Sequence, residues 1–118
     1  MDAKCNLKYQ SYSPRKVNVV LDKIRGKSLQ EVEYTLKTIP KRSSGIIYKA
    51  VRSAGANLSV KMGKKLNLNK VWVKTAYCTK GPMKYLRRYR AGAMGRAMPY
   101  KKKMCHLTVI VSDAKEVE

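Results

Sequence analysis

Acidic residues are scarce in this sequence, and none occurs between Tyr34 and Ser112. The chain has 27 Lys and Arg residues but only 7 Asp and Glu residues, which gives a formal net charge of +20 over 118 residues. Repulsion on this scale disfavours a compact chain unless a polyanion neutralises it. A nucleic acid meets this need better than an anionic membrane surface, because Lys and Arg release the counterions condensed on its phosphates.

Long apolar runs and paired cysteines are also absent. No run approaches the ~18 apolar residues that a membrane span needs, and the first residues show no secretion signal. We therefore expect neither secretion nor a membrane partner. The cysteines Cys5, Cys78 and Cys105 form no CxxC pair. Their spacing predicts reduced, buried or half-buried thiols without a metal or disulfide framework.

Catalytic motifs are missing as well. The sequence has no phosphate-cradling glycine loop, cofactor fingerprint or acid/base pair in its basic region. The single histidine, His106, has no carboxylate near it in sequence, so we expect it on a sheet surface or facing RNA. We predict no catalytic residue, cofactor, metal site or small-molecule substrate. An RNA-modifying enzyme is thereby disfavoured, while a DNA-compacting protein and an RNA-binding structural protein remain.

The first predicted helix follows Ser13. This residue is a candidate N-cap, and Pro14 suits the first helical position, where its missing N–H has no intrahelical partner. Gly26 is placed to close the helix. The apolar residues between them recur at i, i+3, i+4 and i+7 and share one face: Val17, Val20, Leu21 and Ile24.

Two further helices are predicted before the strands begin. Ser28 and Glu31 have the spacing of a capping box, and Pro40 ends this second helix. The third helix runs from about Lys41 to about Val60, with its apolar residues on one side.

From Lys70 the apolar period changes from 3.6 to 2. One face of this strand is predicted to hold Val71, Val73, Thr75 and Tyr77, and the other Trp72, Lys74, Ala76 and Cys78. Residues 105–111 and, by the alternation of Cys5, Leu7 and Tyr9, residues 4–10 predict two more strands. We therefore expect an α+β fold in which three helices pack on a small antiparallel sheet of about three strands.

A cation-rich segment, Thr79 to Lys103, joins the two clearest strands. Connections this long inside a compact domain are functional or disordered. Arms of ~10 residues at ~3.3 Å each project ~30 Å, yet a lone two-stranded ribbon is marginal in water. Within a single domain, residues 1–118, we predict a long protruding β-hairpin at about 79–103 that phosphate neutralisation orders. A flexible basic loop without specific contacts is the alternative.

The residue types of this segment suit RNA. Arg offers a planar fork to phosphate and stacks on bases, while Tyr supplies a flat face for an unpaired base. We expect both the helical body and the hairpin arms to contact RNA, with an affinity that falls steeply with salt. The predicted RNA-binding residues are Arg15, Lys16, Arg25, Lys27, Lys41, Arg42, Lys49, Arg52, Lys80, Lys84, Tyr85, Arg87, Arg88, Tyr89, Arg90, Arg96, Lys101, Lys102, Lys103 and His106.

Five motifs occur in an order that resembles a known family. They are SPRKVNVVLDKIRGK from Ser13 to Lys27, VRSAGAN from Val51 to Asn57, the Gly81 and Pro82 pair, GRA from Gly95 to Ala97, and CHLTVIVSD from Cys105 to Asp113. The family is large-subunit ribosomal protein twenty-two of bacteria and organelles. The resemblance covers nearly the whole chain.

This resemblance implies a structural constituent of the large ribosomal subunit. Its body is expected on large-subunit ribosomal RNA, where it supports assembly, and its hairpin tip in the peptide exit tunnel. Implied partners are this RNA, neighbouring large-subunit ribosomal proteins and the nascent polypeptide. The residues carried over to the tip are Arg88, Tyr89, Arg90, Ala91, Gly92, Ala93 and Met94.

Two features depart from the common bacterial pattern of this family. The tip is longer, and Tyr89 stands where a proline is usual, so the contacts of the tip are not carried over residue by residue. The pair Cys105 and His106 resembles plastid members. It favours a plastid ribosome over one in the bacterial cytoplasm.

Overall fold

The computed structural model describes residues 1–82 and 87–114. In chain order its elements are strand β1 (Asp2–Gln10), helices α1 (Pro14–Leu21), α2 (Leu29–Thr38) and α3 (Ser44–Met62), and strands β2 (Trp72–Lys80), β3 (Arg87–Ala91), β4 (Ala97–Lys101) and β5 (Cys105–Ser112). Short 3₁₀ turns lie at Leu68–Lys70 and Ala93–Gly95. The α+β class is confirmed. Among the described helices, none is long and apolar enough to cross a membrane.

The body sheet has the order β1-β5-β2. Strand β5 is antiparallel to both neighbours, as predicted for its pairing with β2. The predicted N-terminal strand is confirmed as β1. The alternation in β5 buries Cys105, Leu107, Val109 and Val111, so the central strand supplies one continuous row of the core.

The predicted faces of β2 are wrong after Val73. The ladder pairs Val73 with Val111 but Thr75 with Ile110, which leaves an extra residue between them. This bulge turns Ala76 into the core. A count of alternating residues cannot reveal a bulge, because one extra residue moves every later side chain to the other face.

Strand β1 has a similar irregularity between Leu7 and Gln10. Tyr9 adopts φ 58° there and is 61 % exposed, so it leaves the inward row predicted for it with Cys5 and Leu7. Its backbone N–H donates to Nδ1 of His106 at 3.0 Å. The side chain of a neighbouring strand thus satisfies a donor that the bulge removes from the ladder.

The helices build the other side of the core. Helix α3 contacts β1 and β5, α1 contacts β2, and α2 packs on α3. Helix α1 ends at Leu21, earlier than predicted, although Ile24 is fully buried in the turn that follows. Gly26 closes that turn with φ 76° and donates its N–H to the carbonyl of Val73 at 3.0 Å.

The helix caps differ from one another. The hydroxyl of Ser28 accepts from the N–H of Glu31 at 3.4 Å, so this half of the predicted capping box is present. Ser13 occupies the N-cap position of α1, but its side chain caps no N–H. Helix α3 begins at Ser44 rather than at Lys41, and the hydroxyl of Ser43 also caps nothing.

Strands β3 and β4 form a separate two-stranded sheet. The radius of gyration is 17.5 Å and the principal extents are 63 × 26 × 25 Å. A compact chain of this length would have a radius of gyration of about 13 Å. The excess comes from an elongated molecule, and the protruding hairpin predicted from the sequence is confirmed within the described residues.

Candidate nucleic-acid interface

One face of the hairpin combines arginines with a tyrosine. The ladder pairs Arg88 with Tyr100 and Arg90 with Met98, which places these four side chains on the same face. The guanidinium carbon of Arg90 lies 4.6 Å from the centroid of the Tyr100 ring, a distance typical of a cation–π contact. A stacked guanidinium keeps its edge N–H groups available, so this face can receive phosphate oxygens.

The other face carries a repulsive pair. Arg87 lies directly opposite Lys101, next to the pair formed by Tyr89 and Pro99. Like charges opposite each other destabilise an antiparallel ladder, and the sequence places no carboxylate in the hairpin. All residues of β3 are exposed, so apolar burial does not offset the repulsion. A polyanion bound to this face would remove it.

The turn of the hairpin overlaps only the last part of the predicted tip. Met94 and Gly95 both have positive φ, 56° and 70°, as in the primed turns that suit hairpins. Met94 is 94 % exposed at this end. Of the predicted tip residues, Gly92, Ala93 and Met94 lie in the turn, while Arg88 to Ala91 belong to β3.

The glycines of the tip serve the turn itself. Gly92 donates its N–H to the carbonyl of Arg96 at 2.8 Å, and a Cβ at Gly92 would lie 3.0 Å from the same oxygen. Gly95 supplies one of the positive φ angles. Their presence is therefore explained without a close partner.

Gly81 joins the hairpin to the body sheet. Its N–H donates to the carbonyl of Met104 at 2.9 Å, and a Cβ there would lie 3.2 Å from backbone atoms of Met104. Exposed cations surround this junction: Lys80, Lys101, Lys102 and Lys103. The predicted RNA-binding residues Lys84 and Tyr85 lie outside the described residues.

The helical body presents a second group of cations. Two of them lie near aromatic rings. The guanidinium carbon of Arg42 lies 5.7 Å from the ring centroid of Tyr12, and that of Arg52 lies 5.7 Å from the ring centroid of Tyr48. Such contacts order long side chains before a ligand arrives. The exposed predicted residues of the body are Arg15, Lys16, Arg25, Lys27, Lys41, Arg42, Lys49 and Arg52.

Two predicted RNA contacts already have partners within the protein. Arg25 donates from Nε to the carbonyl of Ala76 at 2.7 Å and forms an ion pair with Asp22. His106 accepts a hydrogen bond from the backbone N–H of Tyr9, and the centroids of the two rings lie 4.9 Å apart in an edge-to-face arrangement. Both side chains stabilise the body, which the sequence did not indicate.

Carboxylates cluster at the end of the sheet away from the hairpin junction. Asp2 pairs with Lys74 at 2.9 Å, and Asp113 pairs with the N-terminal ammonium at 2.8 Å. The hydrogen bond from Lys74 lowers the pKa of Asp2, with a further contribution from Ser112. The bond from the ammonium likewise lowers the pKa of Asp113. Negative charge is therefore held where β5 ends, and the cationic hairpin leaves where β5 begins.

The cysteines lie in the core. Cys5, Cys78 and Cys105 are free and buried, which confirms the predicted burial. Burial raises the pKa of the Cys78 thiol to about 12, with help from a hydrogen bond with Cys105. Within residues 1–82 and 87–114 no group of three or more His, Cys, Asp or Glu side chains could hold a metal ion.

A cleft of about 450 Å³ opens where α1 and α3 begin. Its lining residues are Ser11, Tyr12, Ser13, Lys16, Val19, Lys41, Arg42 and Ser43. The sequence pointed to the three cations, but Tyr12 and Ser43 were missed as site residues. The signal in the sequence was the serine that precedes each helix, Ser13 before α1 and Ser43 before α3. The sequence did not show that these two helix starts meet, because they are distant from each other along the chain.

Three lysines between α3 and β2 were also missed as site residues. Lys64, Lys65 and Lys70 line a smaller cleft, of about 370 Å³, between α3 and β2, together with Asp113. The adjacent lysines in the sequence were the available signal. The carboxylate makes this cleft less suited to an anion than the one at Arg42.

Comparisons with known proteins agree on one family. Residues 5–112 match the family model described as ribosomal protein L22p/L17e. The chain is 41% identical over 116 residues to the large ribosomal subunit protein uL22 of Pelotomaculum thermopropionicum, covering 98% of this chain and 99% of that protein. It is 42% identical over 114 residues to uL22 of Endomicrobium trichonymphae, covering 97% and 94%. It is 41% identical over 112 residues to uL22c of Cyanophora paradoxa, covering 95% of each chain.

Proposed function

This chain belongs to the ribosomal protein L22p/L17e family, and on that premise we propose that it binds large-subunit ribosomal RNA through its helical body and its hairpin. Members of this family are structural, non-enzymatic constituents of the large ribosomal subunit. The observation that carries the proposal is the pair of Arg87 and Lys101, which face each other on an exposed ladder without a neighbouring carboxylate.

RNA binding would act on both parts of the molecule at once. Phosphates between the arms remove the repulsion in the hairpin, while the exposed cations of α1 and α3 hold the body on the RNA surface. We propose that body and hairpin work as one domain spanning residues 1–118. The hydrogen bond from Gly81 to Met104 supports this, because it extends the ladder of β2 and β5 towards the hairpin.

The remaining parts of the proposed role follow from the family. Bound in this way, the chain supports assembly of the large subunit beside neighbouring ribosomal proteins, and its hairpin turn lines the peptide exit tunnel near the nascent polypeptide. The exposure of Met94 at the turn, 94 %, supports a site of contact there. Neither a membrane nor a small-molecule substrate has a part in this role.

Competition binding tests the RNA proposal. The full chain is bound to labelled large-subunit ribosomal RNA, and unlabelled ribosomal RNA or duplex DNA is added at matched salt and matched phosphate concentration. We expect RNA to displace the label and duplex DNA to do so poorly. Equal displacement by duplex DNA would instead identify a general DNA-compacting protein.

Crosslinking tests the tunnel assignment. A photocrosslinker is placed at position 94 of the turn in assembled ribosomes that carry a stalled nascent chain. We expect crosslinks to that chain. Crosslinks to ribosomal RNA alone would remove the tunnel assignment and leave RNA binding intact.

We propose a plastid ribosome over one in the bacterial cytoplasm. The support is the resemblance of the pair Cys105 and His106 to plastid members of the family. Overall sequence identity favours neither compartment, since it is 41% to the bacterial relative and 41% to the plastid-type relative. Quantifying peptides of this chain in isolated plastids and in whole cells tests it, and depletion from plastids would overturn it.

A further inference from the structure

The cleft at the start of α1 and α3 differs from the open cationic surfaces around it. Lys16, Lys41 and Arg42 contribute positive charge from two separate segments, and none of the described lining residues is acidic. Its volume of about 450 Å³ lies within the ~300–1,000 Å³ of clefts that hold small ligands. The cleft is therefore large enough for one ligand unit rather than a single ion.

Two helices start at this cleft. Ser13 precedes α1, Ser43 precedes α3, and both line the cleft. The N–H groups of a first helical turn have no intrahelical acceptor and carry the positive end of the helix dipole. Two such ends beside three cations favour an anion with several oxygens, such as a phosphate group.

Ser43 supplies independent support for a ligand. The residue is only 6 % exposed, yet its hydroxyl caps no N–H of α3 and has no hydrogen-bond partner among the described residues. No fully enclosed side-chain oxygen in the described part of the chain lacks a partner. The Ser43 hydroxyl is therefore reachable from the cleft, where a ligand oxygen can bond to it.

Part of the wall is apolar. Val19 is 52 % exposed beside the cleft, and Tyr12 packs partly against the core. The guanidinium of Arg42, 5.7 Å from the Tyr12 ring centroid, is ordered by that contact. A phosphate alone gains nothing from apolar side chains, whereas a nucleoside does, because its base buries a flat face.

We propose that this cleft binds one unpaired nucleotide of the RNA. Its phosphate lies at Lys16, Lys41, Arg42, the Ser43 hydroxyl and the two helix starts, and its nucleoside rests on Tyr12 and Val19. A paired nucleotide does not fit this arrangement, since stacking and pairing in a duplex hide the faces of its base. This inference rests on the proposed RNA binding and adds a defined site to it.

Nuclear magnetic resonance titration of the full chain tests the site. The probes are adenosine 5′-monophosphate and, separately, inorganic phosphate, followed by the amide signals of Lys16, Ser44 and Gly45. We expect saturable shifts with both probes and tighter binding of the nucleotide. Equal affinities would overturn the nucleoside half of the site, and no saturable shift with either probe would overturn the whole.

Variants separate a built site from net charge. The double variant Lys41→Ala with Arg42→Ala should weaken binding of the nucleotide by about tenfold, since charged hydrogen bonds are lost. The matched double variant Lys64→Ala with Lys65→Ala removes the same charge and should change it less than about twofold. Ser43→Ala should weaken phosphate binding with an unchanged melting temperature. Equal losses in both double variants would sink the proposal.

Failure here is distinguishable from failure of RNA binding. If the unmodified chain prefers ribosomal RNA over duplex DNA while both double variants lose equal affinity for that RNA, the cleft proposal fails and the function stands. If the unmodified chain shows no such preference, the proposed function fails whatever the nucleotide titration shows.

Discussion

Arg87 on β3 lies directly opposite Lys101 on β4, and the sequence between Tyr34 and Ser112 offers no carboxylate to separate them. The pair sets two properties of the hairpin against each other. It weakens the ladder of the free protein, and it concentrates positive charge where phosphates would bind. A substitution that removes the repulsion should therefore strengthen the ladder and weaken the binding of phosphates.

Lys101→Glu tests this opposition. It turns a repulsive pair into an attractive one, so the free hairpin should gain about 0.2–1 kcal/mol while affinity for ribosomal RNA falls. Hydrogen exchange of the β3 amides and salt-dependent RNA binding measure the two effects. Lys103→Glu makes the same charge change outside the ladder and should weaken binding without slowing exchange. Faster exchange in the Lys101 variant would contradict the repulsive pair.

Removing three hairpin arginines should separate binding from folding. The triple variant of Arg87, Arg88 and Arg90 to alanine should reduce the slope of log affinity against log salt by about two to three. The melting temperature of the body should stay nearly unchanged, because exposed charges contribute little to stability. A matched triple variant replaces Lys64, Lys65 and Lys70. Equal slopes in the two variants would show that only total charge matters, and an unfolded body would contradict the separation.

Asn18 should be a structural link between α1 and β2. Its side chain donates to the carbonyl of Cys78 at 3.3 Å and accepts from the N–H of Cys78 at 3.2 Å. Asn18→Ala leaves both backbone groups without a partner and should cost about 1–3 kcal/mol in urea unfolding. Asn57→Ala, which removes one exposed bond to Lys4, should cost less. Similar losses in both variants would argue against the special position of Asn18.

The turn should respond to the residue at position 94. Met94 adopts φ 56°, a conformation that costs a non-glycine residue about 1–3 kcal/mol and that asparagine tolerates better. Met94→Asn should therefore slow hydrogen exchange in β3 and β4. Met98→Asn, the same change on a strand, should not. An unchanged exchange rate in the Met94 variant would mean that the turn does not limit the order of the hairpin.

Alkaline pH should destabilise the body through Cys78. Burial raises the pKa of its thiol from 9.0 to about 12. The folded state thus keeps the proton over a range in which the unfolded state releases it. Stability should be unaffected below pH 9 and should fall from there towards pH 12. Urea unfolding of the unmodified protein and of Cys78→Ala at several pH values should give curves whose separation shrinks over this range. A constant separation would contradict a buried, protonated thiol.

Local patterns in the sequence were enough to predict most of the body. Helix α1 follows from Pro14 and its apolar stripe, and β5 from strict alternation, because each pattern depends on neighbours a few residues away. The bulge after Val73 lay outside such patterns, since only pairing with β5 reveals the extra residue. The conformation of Tyr9 could not be predicted locally either, because its φ of 58° is accompanied by a hydrogen bond from its backbone N–H to His106 on β5.

In the candidate site, too, local sequence features predicted some residues, whereas contacts between distant segments determined the others. Cation-rich composition identified Arg87, Arg88 and Arg90, but composition does not tell which cations the fold uses for itself. Arg25 bonds to the carbonyl of Ala76, a residue far away in sequence. The cleft at Arg42 was hidden for the same reason, because it forms only when the starts of α1 and α3 meet.

The central place of β5 in the body sheet fixes when this protein can fold. Strands β1 and β2 both pair with β5 and not with each other, so neither has a neighbouring strand until Cys105 to Ser112 has been translated. Until then a strongly basic chain carries two open strand edges, which invite aggregation and non-specific adsorption. A shielding chaperone or prompt capture at the assembly site would protect the chain during that interval.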